Sequence, residues 1–363
     1  MAVFAIVNNA GQLLQRGQTP MTQLKQWAES QLTKQDQVVV EATGNSFHVY
    51  DLLSPVAGEV VIANALAMHD RTQARRKTDK VDALALAIAL SKDYIPEVWV
   101  PTPEIRQKRE SVSHRQGLSK NLTALRNQLR GLLYRWGLDF QGPNIFSAEA
   151  KTFIEEVDVP PATQSILLSK YHSGQTLLEE IRSIDRQLSE CALKDEVSLK
   201  LTTLPGIGAQ TALIVTSAIG DIHRFSSPKK LTSYAGLVPS VHQSADTVHY
   251  GPITKQGRNL LRWAMVEAAN AAVLTPGPIQ DRYERLRRKG KIHVVAVVAI
   301  ARYLLGLIWY LLTRNQVFRD AKPKYLKTKF QGMLRKAYGK APRNAASVLA
   351  NSVMGWTPAG IVV

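Results

Sequence analysis

The fold of the first part of this chain is decided by VVVEATG at residues 38–44, an apolar run that ends in an acid and a glycine. A second apolar run, EVVIAN, follows at residues 59–64, and RRKTDKVDALALAIAL occupies residues 75–90. Short apolar runs closed by Gly or polar residues are typical of strands, whereas the last segment has the length and composition of a helix. Strands that alternate with helices predict a small mixed α/β domain, which we expect to end near Val100, before two prolines.

The other elements of this domain follow from local patterns. Residues 2–7 and 12–16 flank NNAG at residues 8–11, and because Asn and Gly favour turns we predict a β-hairpin. Helices are predicted over residues 21–32 and 46–53, from their apolar spacing.

Three acids are candidate catalytic residues and metal ligands: Glu41 at a strand end, and Asp79 and Asp82 where a helix begins. Asp79 and Asp82 lie at i and i+3, so their Cβ atoms are about 5–6 Å apart on one helix face. Carboxylates at that separation suit Mg²⁺ or Mn²⁺, and two such ions could activate an attacking oxygen and stabilise a leaving one. The alternative role of the Asp pair is to complement the helix dipole in the first turn. The candidate phosphate contacts beside the pair are Arg75, Arg76 and Lys77.

Charge indicates the class of partner. The 363 residues carry a net charge of +17, with a pI near 9.9. Residues 1–66 hold three basic and five acidic residues, a net charge of −2, so residues 67–363 carry +19. A basic excess of this size is typical of a polyanion-binding protein, with nucleic acid as the first candidate and an anionic membrane as the second.

The single Cys191 excludes an intramolecular disulfide and a cysteine-cluster metal site, which fits a cytoplasmic setting. The first residues lack the basic leader and apolar core of a secretory signal. Residues 294–312 are apolar enough for a membrane span, but Arg302 lies in their middle, so we expect a core helix and no membrane partner.

Residues 104–200 are predicted to be mostly helical, because apolar residues recur in steps of three and four along two separate segments. Two such seams predict an antiparallel helical hairpin or a coiled-coil pair. An internal spacer and a dimer contact remain equal alternatives for its role. The seam positions are Leu118, Leu122, Leu125, Leu129 and Leu132 in the first segment and Leu177, Ile181, Ile184 and Leu188 in the second.

The pentapeptide LPGIG at residues 204–208 is typical of the turn of a helix-hairpin-helix element. Gly206 and Gly208 would let the backbone approach a phosphate, and the next helix would offer its N-terminal N–H groups. The alternative is a tight loop between two packed helices. Further along, residues 319–343 contain nine Lys/Arg and one acid, Asp320, and are predicted to form a solvated or nucleic-acid-contacting extension.

Residues 236–268 hold the remaining candidates. Lys255, Arg258 and Arg262 are spaced to share a helical face and to bind phosphates. Ser244 lies in a polar loop, and a serine becomes a nucleophile only with an activating base or metal. The nearby histidines, at 242 and 249, are not assigned a catalytic role from their spacing.

Five motifs, taken in this order and spacing, resemble the DEDD-type insertion-sequence transposases, a family that includes the pilin-inversion recombinase and the bridge-RNA-guided serine recombinases. The resemblance covers nearly the whole chain. Its motifs are VEATG at residues 40–44, KTDKVDA at 77–83, LPGIG at 204–208, YAGLVP at 234–239 and ITKQG at 253–257.

The resemblance implies a RuvC-like (RNase H-type) α/β domain over residues 1–100, a helical or coiled-coil linker over 101–200 and a mainly α transposase domain with the helix-hairpin-helix element over 201–318. A basic tail would follow over residues 319–363. It also implies Mg²⁺ as the cofactor, with DNA (element ends and target), a structured guide RNA and a homo-oligomer (dimer or tetramer) as partners.

By the same resemblance, Glu41, Asp79 and Asp82 match the second, third and fourth acids of the DEDD set. Ser244 matches the serine that attacks DNA and forms a phosphoserine link, and Ala245 follows it where the family usually has Gly. The implied function is that of a transposase or site-specific recombinase.

The family's first acid lies on a strand that would precede Ala2, and this chain has no Asp before Asp36. We therefore expect either a translation start upstream of Met1 or a truncated copy. Two alternatives follow for function: a metal-dependent nuclease in which water replaces Ser244, and an inactive remnant that only binds nucleic acid.

Overall fold

The computed structural model describes residues 1–64, 79–244, 247–342 and 344–355. The chain divides into two compact units, residues 1–102 (unit 1) and residues 103–363 (unit 2). The molecule is mostly helical, with small sheets.

Unit 1 is the mixed α/β domain that the strand and helix patterns predict. The antiparallel hairpin pairs β1 with β2, and β3 runs parallel to β4, in register from Gln37 opposite Glu59 to Glu41 opposite Ala63. The elements are β1 (Ala2–Val7), β2 (Leu13–Thr19), α1 (Leu24–Gln31), β3 (Gln37–Glu41), α2 (Ser46–Leu53), β4 (Glu59–Ala63) and α3 (Asp79–Ser91).

The predicted hairpin is confirmed, and its turn has a local cause. The side-chain oxygen of Asn8 accepts from the backbone N–H groups of Ala10 (3.1 Å) and Gln12 (2.9 Å). Gly11 takes the left-handed conformation, with φ 79°, that a non-glycine residue rarely adopts. Across the unit, Trp27 of α1 packs on Phe4 of β1 at 4.5 Å between ring centroids.

In the ranges that the structure describes, the elements of unit 2 are helices and one β-hairpin. Two long helices, α4 and α6, pack along each other, and the later helices build the core around α8 and α12. The elements are α4 (Pro103–Arg135), α5 (Ala148–Glu156), α6 (Pro161–Lys194), α7 (Glu196–Leu201), α8 (Ala209–Ile219), α9 (Pro228–Tyr234), β5 (Pro239–Ser244), β6 (Thr247–Ile253), α10 (Asn259–Ala272), α11 (Pro278–Arg288), α12 (His293–Thr313), α13 (Pro323–Tyr338) and α14 (Ala345–Gly355).

Helices α4 and α6 are antiparallel, because their paired positions run in opposite directions. The charged pairs Lys108–Asp195 (3.6 Å) and Arg115–Asp185 (2.9 Å) lie toward one end. The hydrogen bond from Lys170 to Gln128 (2.8 Å) lies toward the other. Leu118, Leu122, Leu129, Ile181 and Leu188, all predicted seam positions, are buried.

Helix α12 is the one helix in the described ranges that is long and apolar enough to cross a membrane, with a mean hydropathy of 2.1. Its buried positions lie in the main core of unit 2, so α12 is a core helix of this unit. Those positions are Ala296, Val297, Ile300, Ala301, Leu304, Leu305, Ile308 and Leu311.

The prediction that residues 319–343 form a solvated extension is wrong. Helix α13 buries Leu326, Phe330, Met333 and Ala337, and the first three belong to an apolar cluster shared with α6 and α14. These residues recur in steps of four, three and four, so one face of α13 belongs to the core, while all its Lys and Arg residues except Lys329 are exposed.

Candidate functional site

Ser244 is the last residue of β5 and closes the hairpin of unit 2. The register runs from Pro239 opposite Ile253 to Ser244 opposite Thr247, and only residues 245 and 246, outside the described ranges, separate the two strands. His242 and His249 are cross-strand partners two positions from that end. The hairpin thus carries the candidate nucleophile at the tip of a paired element.

The base of this hairpin joins two of the sequence motifs. The backbone N–H of Lys255 donates to the Gly236 carbonyl (3.2 Å), and that of Arg258 donates to the Tyr234 carbonyl (3.2 Å). A Cβ atom at Gly236 would lie 2.2 Å from the carbonyl oxygen of Gln256, so only glycine fits. The YAGLVP and ITKQG motifs therefore form one interlocked support for the hairpin.

The expectation that Lys255, Arg258 and Arg262 share a helical face is wrong. Helix α10 begins at Asn259, and Lys255 lies before it in the left-handed conformation, with φ 55°. The Arg262 guanidinium turns inward and donates to the carbonyls of Lys255 (2.9 Å) and Ala235 (3.3 Å). Arg262 thus holds the interlocked support together.

An arginine cluster that the sequence patterns did not reveal lies at the C-terminal end of α8. Arg109 of α4 donates to the carbonyls of Ser217 (2.7 Å) and Ala218 (3.2 Å). Arg224 donates to the carbonyls of Ile219 (2.7 Å) and Ala218 (3.1 Å). These cations satisfy the last carbonyls of the helix and complement its dipole.

Tyr234 connects this cluster to the hairpin support. Its hydroxyl donates to the Ala218 carbonyl (3.3 Å), and the Arg224 guanidinium lies 4.6 Å above its ring. Burial, followed by the positive charge of Arg258, lowers the pKa of Arg109 to about 10. The cluster therefore brings positive charge next to the base of the hairpin.

The LPGIG loop connects α7 to α8. Leu204 and Ile207 are fully buried, and Gly206 (φ 77°) packs so closely that a Cβ atom there would lie 2.0 Å from the Ala268 carbonyl of α10. A Cβ atom at Gly208 would meet nothing within 4 Å, so backbone at this position faces open space. The loop is thus a tight packing turn at Gly206 that is open at Gly208, where α8 begins.

The candidate acids lie in unit 1. Glu41 ends β3 and is exposed, while Asp79 and Asp82 occupy the first described turn of α3, which packs on β1 and β3. Within the described ranges, no three or more His, Cys, Asp or Glu residues are grouped closely enough to hold a metal ion. The structure therefore does not bring Glu41 together with the Asp pair as a three-ligand group. The donor chemistry still fits Mg²⁺, which prefers one or two carboxylates together with water and substrate phosphate.

The candidate phosphate contacts Arg75, Arg76 and Lys77 lie outside the described residues.

Comparisons with known proteins identify the class of protein that this site and fold define. Residues 198–284 match a family described as "Transposase IS116/IS110/IS902 family", and residues 2–136 match the IS110-type DEDD family described as "Transposase".

Three relatives extend the similarity. A transposase for insertion sequence element IS1111A from Coxiella burnetii is 29% identical over 290 residues, covering 78% of this chain and 79% of the relative. A probable family 20 transposase from Pseudomonas aeruginosa is 30% identical over 251 residues, covering 67% and 74%. The pilin gene-inverting protein of Moraxella bovis is 29% identical over 301 residues, covering 77% and 81%.

The chain belongs to the IS116/IS110/IS902 family of transposases. It is a DNA transposase or recombinase of an insertion sequence.

Proposed function

We propose that this transposase exchanges DNA strands with Ser244 as nucleophile and with Glu41, Asp79 and Asp82 as a Mg²⁺-binding acid set. The observation that carries the proposal is the placement of Ser244 at the closed end of a hairpin whose base is interlocked by two motifs. A rigid support holds a reacting group in a productive geometry, and about 1 Å of misplacement can cost around a hundredfold in rate.

In the proposed step, the Ser244 hydroxyl oxygen attacks the scissile phosphorus. A serine–phosphate ester bond forms as the bond from phosphorus to the leaving sugar oxygen breaks, and that oxygen takes up the proton lost by the serine. No co-reactant is consumed, so the step can run in reverse and join a different strand. Such covalent catalysis divides one difficult exchange into two easier ones.

The carboxylates of Asp79, Asp82 and Glu41 would hold Mg²⁺ or Mn²⁺. When bound, the metal would neutralise charge on the scissile phosphate. Asp79 and Asp82 offer hard oxygen ligands on one helix face, and Glu41 offers a third at the end of β3.

The proposal includes the finer architecture of the family. Residues 1–100 are taken as a RuvC-like domain, 101–200 as a coiled-coil linker, 201–318 as the catalytic domain and 319–363 as a basic segment. The LPGIG loop would act as a helix-hairpin-helix contact, supported by the open backbone at Gly208. The proposed partners are element-end and target DNA, a guide RNA and further copies of this chain.

The test is covalent capture on a supercoiled plasmid that carries the insertion sequence with its own ends and flanks. The full chain is incubated with this plasmid, the RNA transcribed from the element ends and Mg²⁺, and the mixture is denatured in detergent. We expect a protein–DNA adduct that Ser244→Ala abolishes. Ser240→Ala is the matched control, because Ser240 lies on the same strand and, among the described residues, donates to the Pro252 carbonyl alone (3.1 Å).

The outcome separates the two alternatives. Metal-dependent cleavage that continues without an adduct in Ser244→Ala would favour a nuclease that uses water. DNA binding without cleavage or adduct, with every variant tested, would favour a remnant that only binds nucleic acid.

A further inference from the structure

A run of positive charge in unit 2 plays no part in the site described above. From Arg285 to Arg302 the sequence holds six Lys or Arg residues and no Asp or Glu. Residues 287–295, which join α11 to α12, are all exposed, and we call this segment the basic turn.

The basic turn has a defined conformation. Gly290 adopts φ 76° just after α11, and the Lys291 N–H donates to the Leu286 carbonyl (3.2 Å), as in a glycine-closed helix end. The Arg287 guanidinium donates to the Lys291 carbonyl (2.7 Å), and His293 is 2.8 Å from the Tyr283 hydroxyl. The backbone that presents these charges is thus fixed by internal contacts.

Three cations of the basic turn point their charge to solvent. In the part of the chain that the structure describes, the side chains of Arg288, Lys289 and Lys291 make no ion pair and no hydrogen bond. Their ammonium and guanidinium groups therefore keep their donors for an external anion.

Exposed apolar residues accompany these charges. Ile292 is 64% exposed, Val294 66% and Val295 48%, whereas Val297, Ile300 and Ile308 of α12 are buried in the core. A turn that only needed solvation would not require three apolar side chains beside four cations. Cations paired with apolar side chains are the combination that DNA-binding proteins use on phosphates and on the walls of the minor groove.

We propose that the basic turn is a duplex DNA contact, with Arg288, Lys289 and Lys291 on phosphates and Ile292 and Val294 against the sugar and base edges. The charge of the turn complements the phosphate backbone, and contacts of this kind position DNA without reading its sequence. The choice of DNA rests on the transposase function of the family. The inference is independent of the Ser244 chemistry.

The test measures binding of the full chain, in a Ser244→Ala background, to a labelled 30-base-pair DNA duplex of arbitrary sequence between 50 and 400 mM salt. The variant is Arg288→Gln, Lys289→Gln, Lys291→Gln. Loss of three phosphate contacts should make the negative slope of log affinity against log salt shallower by about 2.7, which corresponds to a loss on the order of a hundredfold at 0.15 M salt. The charge-matched control is Lys120→Gln, Arg182→Gln, Arg186→Gln, three exposed cations on α4 and α6.

A second variant, Ile292→Ser with Val294→Ser, should weaken binding without a change in the salt slope. Parallel titrations use an RNA duplex of the same length and vesicles rich in anionic phosphatidylserine. A selective loss on DNA supports the inference. It is overturned if the triple variant matches its control on DNA, or if only RNA or vesicle binding is lost.

Because the binding assay needs no chemistry, a chain that fails to form the Ser244 adduct can still pass it. Failure of this inference and failure of the proposed function are therefore distinguishable.

Discussion

Lys329 gives the sharpest quantitative test of the interior of unit 2. Its ammonium group lies inside the unit and donates to the carbonyls of Thr202 (2.5 Å) and Leu204 (3.0 Å), which flank the start of the LPGIG loop. Burial lowers the pKa of Lys329 from 10.5 to about 8. We consider the replacement Lys329→Met, which keeps an unbranched side chain, one atom shorter, and removes the charge.

The expected effect follows from proton linkage. Between pH 8 and pH 10.5 the unfolded chain binds a proton at Lys329 that the folded chain has released, so wild-type stability rises with pH in that window. The slope approaches about 1.4 kcal/mol per pH unit between the two pKa values, and because the folded amine is half titrated at pH 8, the gain between pH 8 and pH 9.5 is about 1.6 kcal/mol. Well below pH 8 this residue contributes no pH dependence. The stability of the Lys329→Met variant should not show this rise with pH, because the variant has no amine to titrate.

The assay is urea unfolding, followed by far-UV circular dichroism at pH 7, 8 and 9.5, for wild type and variant. The difference between their free energies of unfolding should change little from pH 7 to 8, by about 0.3 kcal/mol, and then grow more steeply in favour of wild type. Lys327→Met, an exposed position on the same helix, is the control and should follow wild type at every pH. If the free energies of unfolding of wild type and Lys329→Met differ by the same amount at pH 7, 8 and 9.5, then the pKa of Lys329 is not lowered by burial.

Three further replacements test the proposed site. Gly257→Ala should destabilise unit 2 by about 1–3 kcal/mol and reduce adduct formation, because φ is 100° and the new Cβ would lie 2.2 Å from the Tyr234 carbonyl. Gly208→Ala is the control, because a Cβ there meets nothing, and it should change the melting temperature by no more than about one or two degrees. Equal losses of stability in the two glycine variants would contradict the interlocked support of the hairpin. Asp82→Asn should abolish Mg²⁺- or Mn²⁺-dependent strand exchange while the circular dichroism spectrum and melting temperature stay unchanged. Normal exchange by this variant in the presence of EDTA would exclude a metal role for Asp82.

The sequence predicted those elements whose conformation depends on residues close together in the chain. The β1–β2 hairpin was foreseeable because Asn8 and Gly11 supply its turn from within four residues. The long helices were foreseeable from their apolar spacing. The helical face assigned to Lys255 failed because Gly257, at φ 100°, cannot continue a helix backwards from α10.

Contacts between distant residues could not be predicted in this way. Arg109 satisfies carbonyls more than a hundred residues further along the chain, and nothing in the sequence around it indicates that partner. LPGIG was recognisable as a turn, yet the packing of Gly206 against Ala268 depends on where α10 lies. In α13 the apolar spacing was present, but its many charges suggested a solvated segment.

The hydrogen bonds of Arg109 to the end of α8 also fix one end of α4. Arg109 lies near the start of this helix, it donates to the Ala218 carbonyl that also accepts from the Tyr234 hydroxyl, and the far end at Arg135 lies 26 residues further on. At 1.5 Å per residue this stretch of α4 is about 39 Å long, so a tilt of about 5° at Arg109 would move the far end by about 3 Å. The YAGLVP motif that supports Ser244 therefore lies next to the end of α4 about which such a tilt would turn.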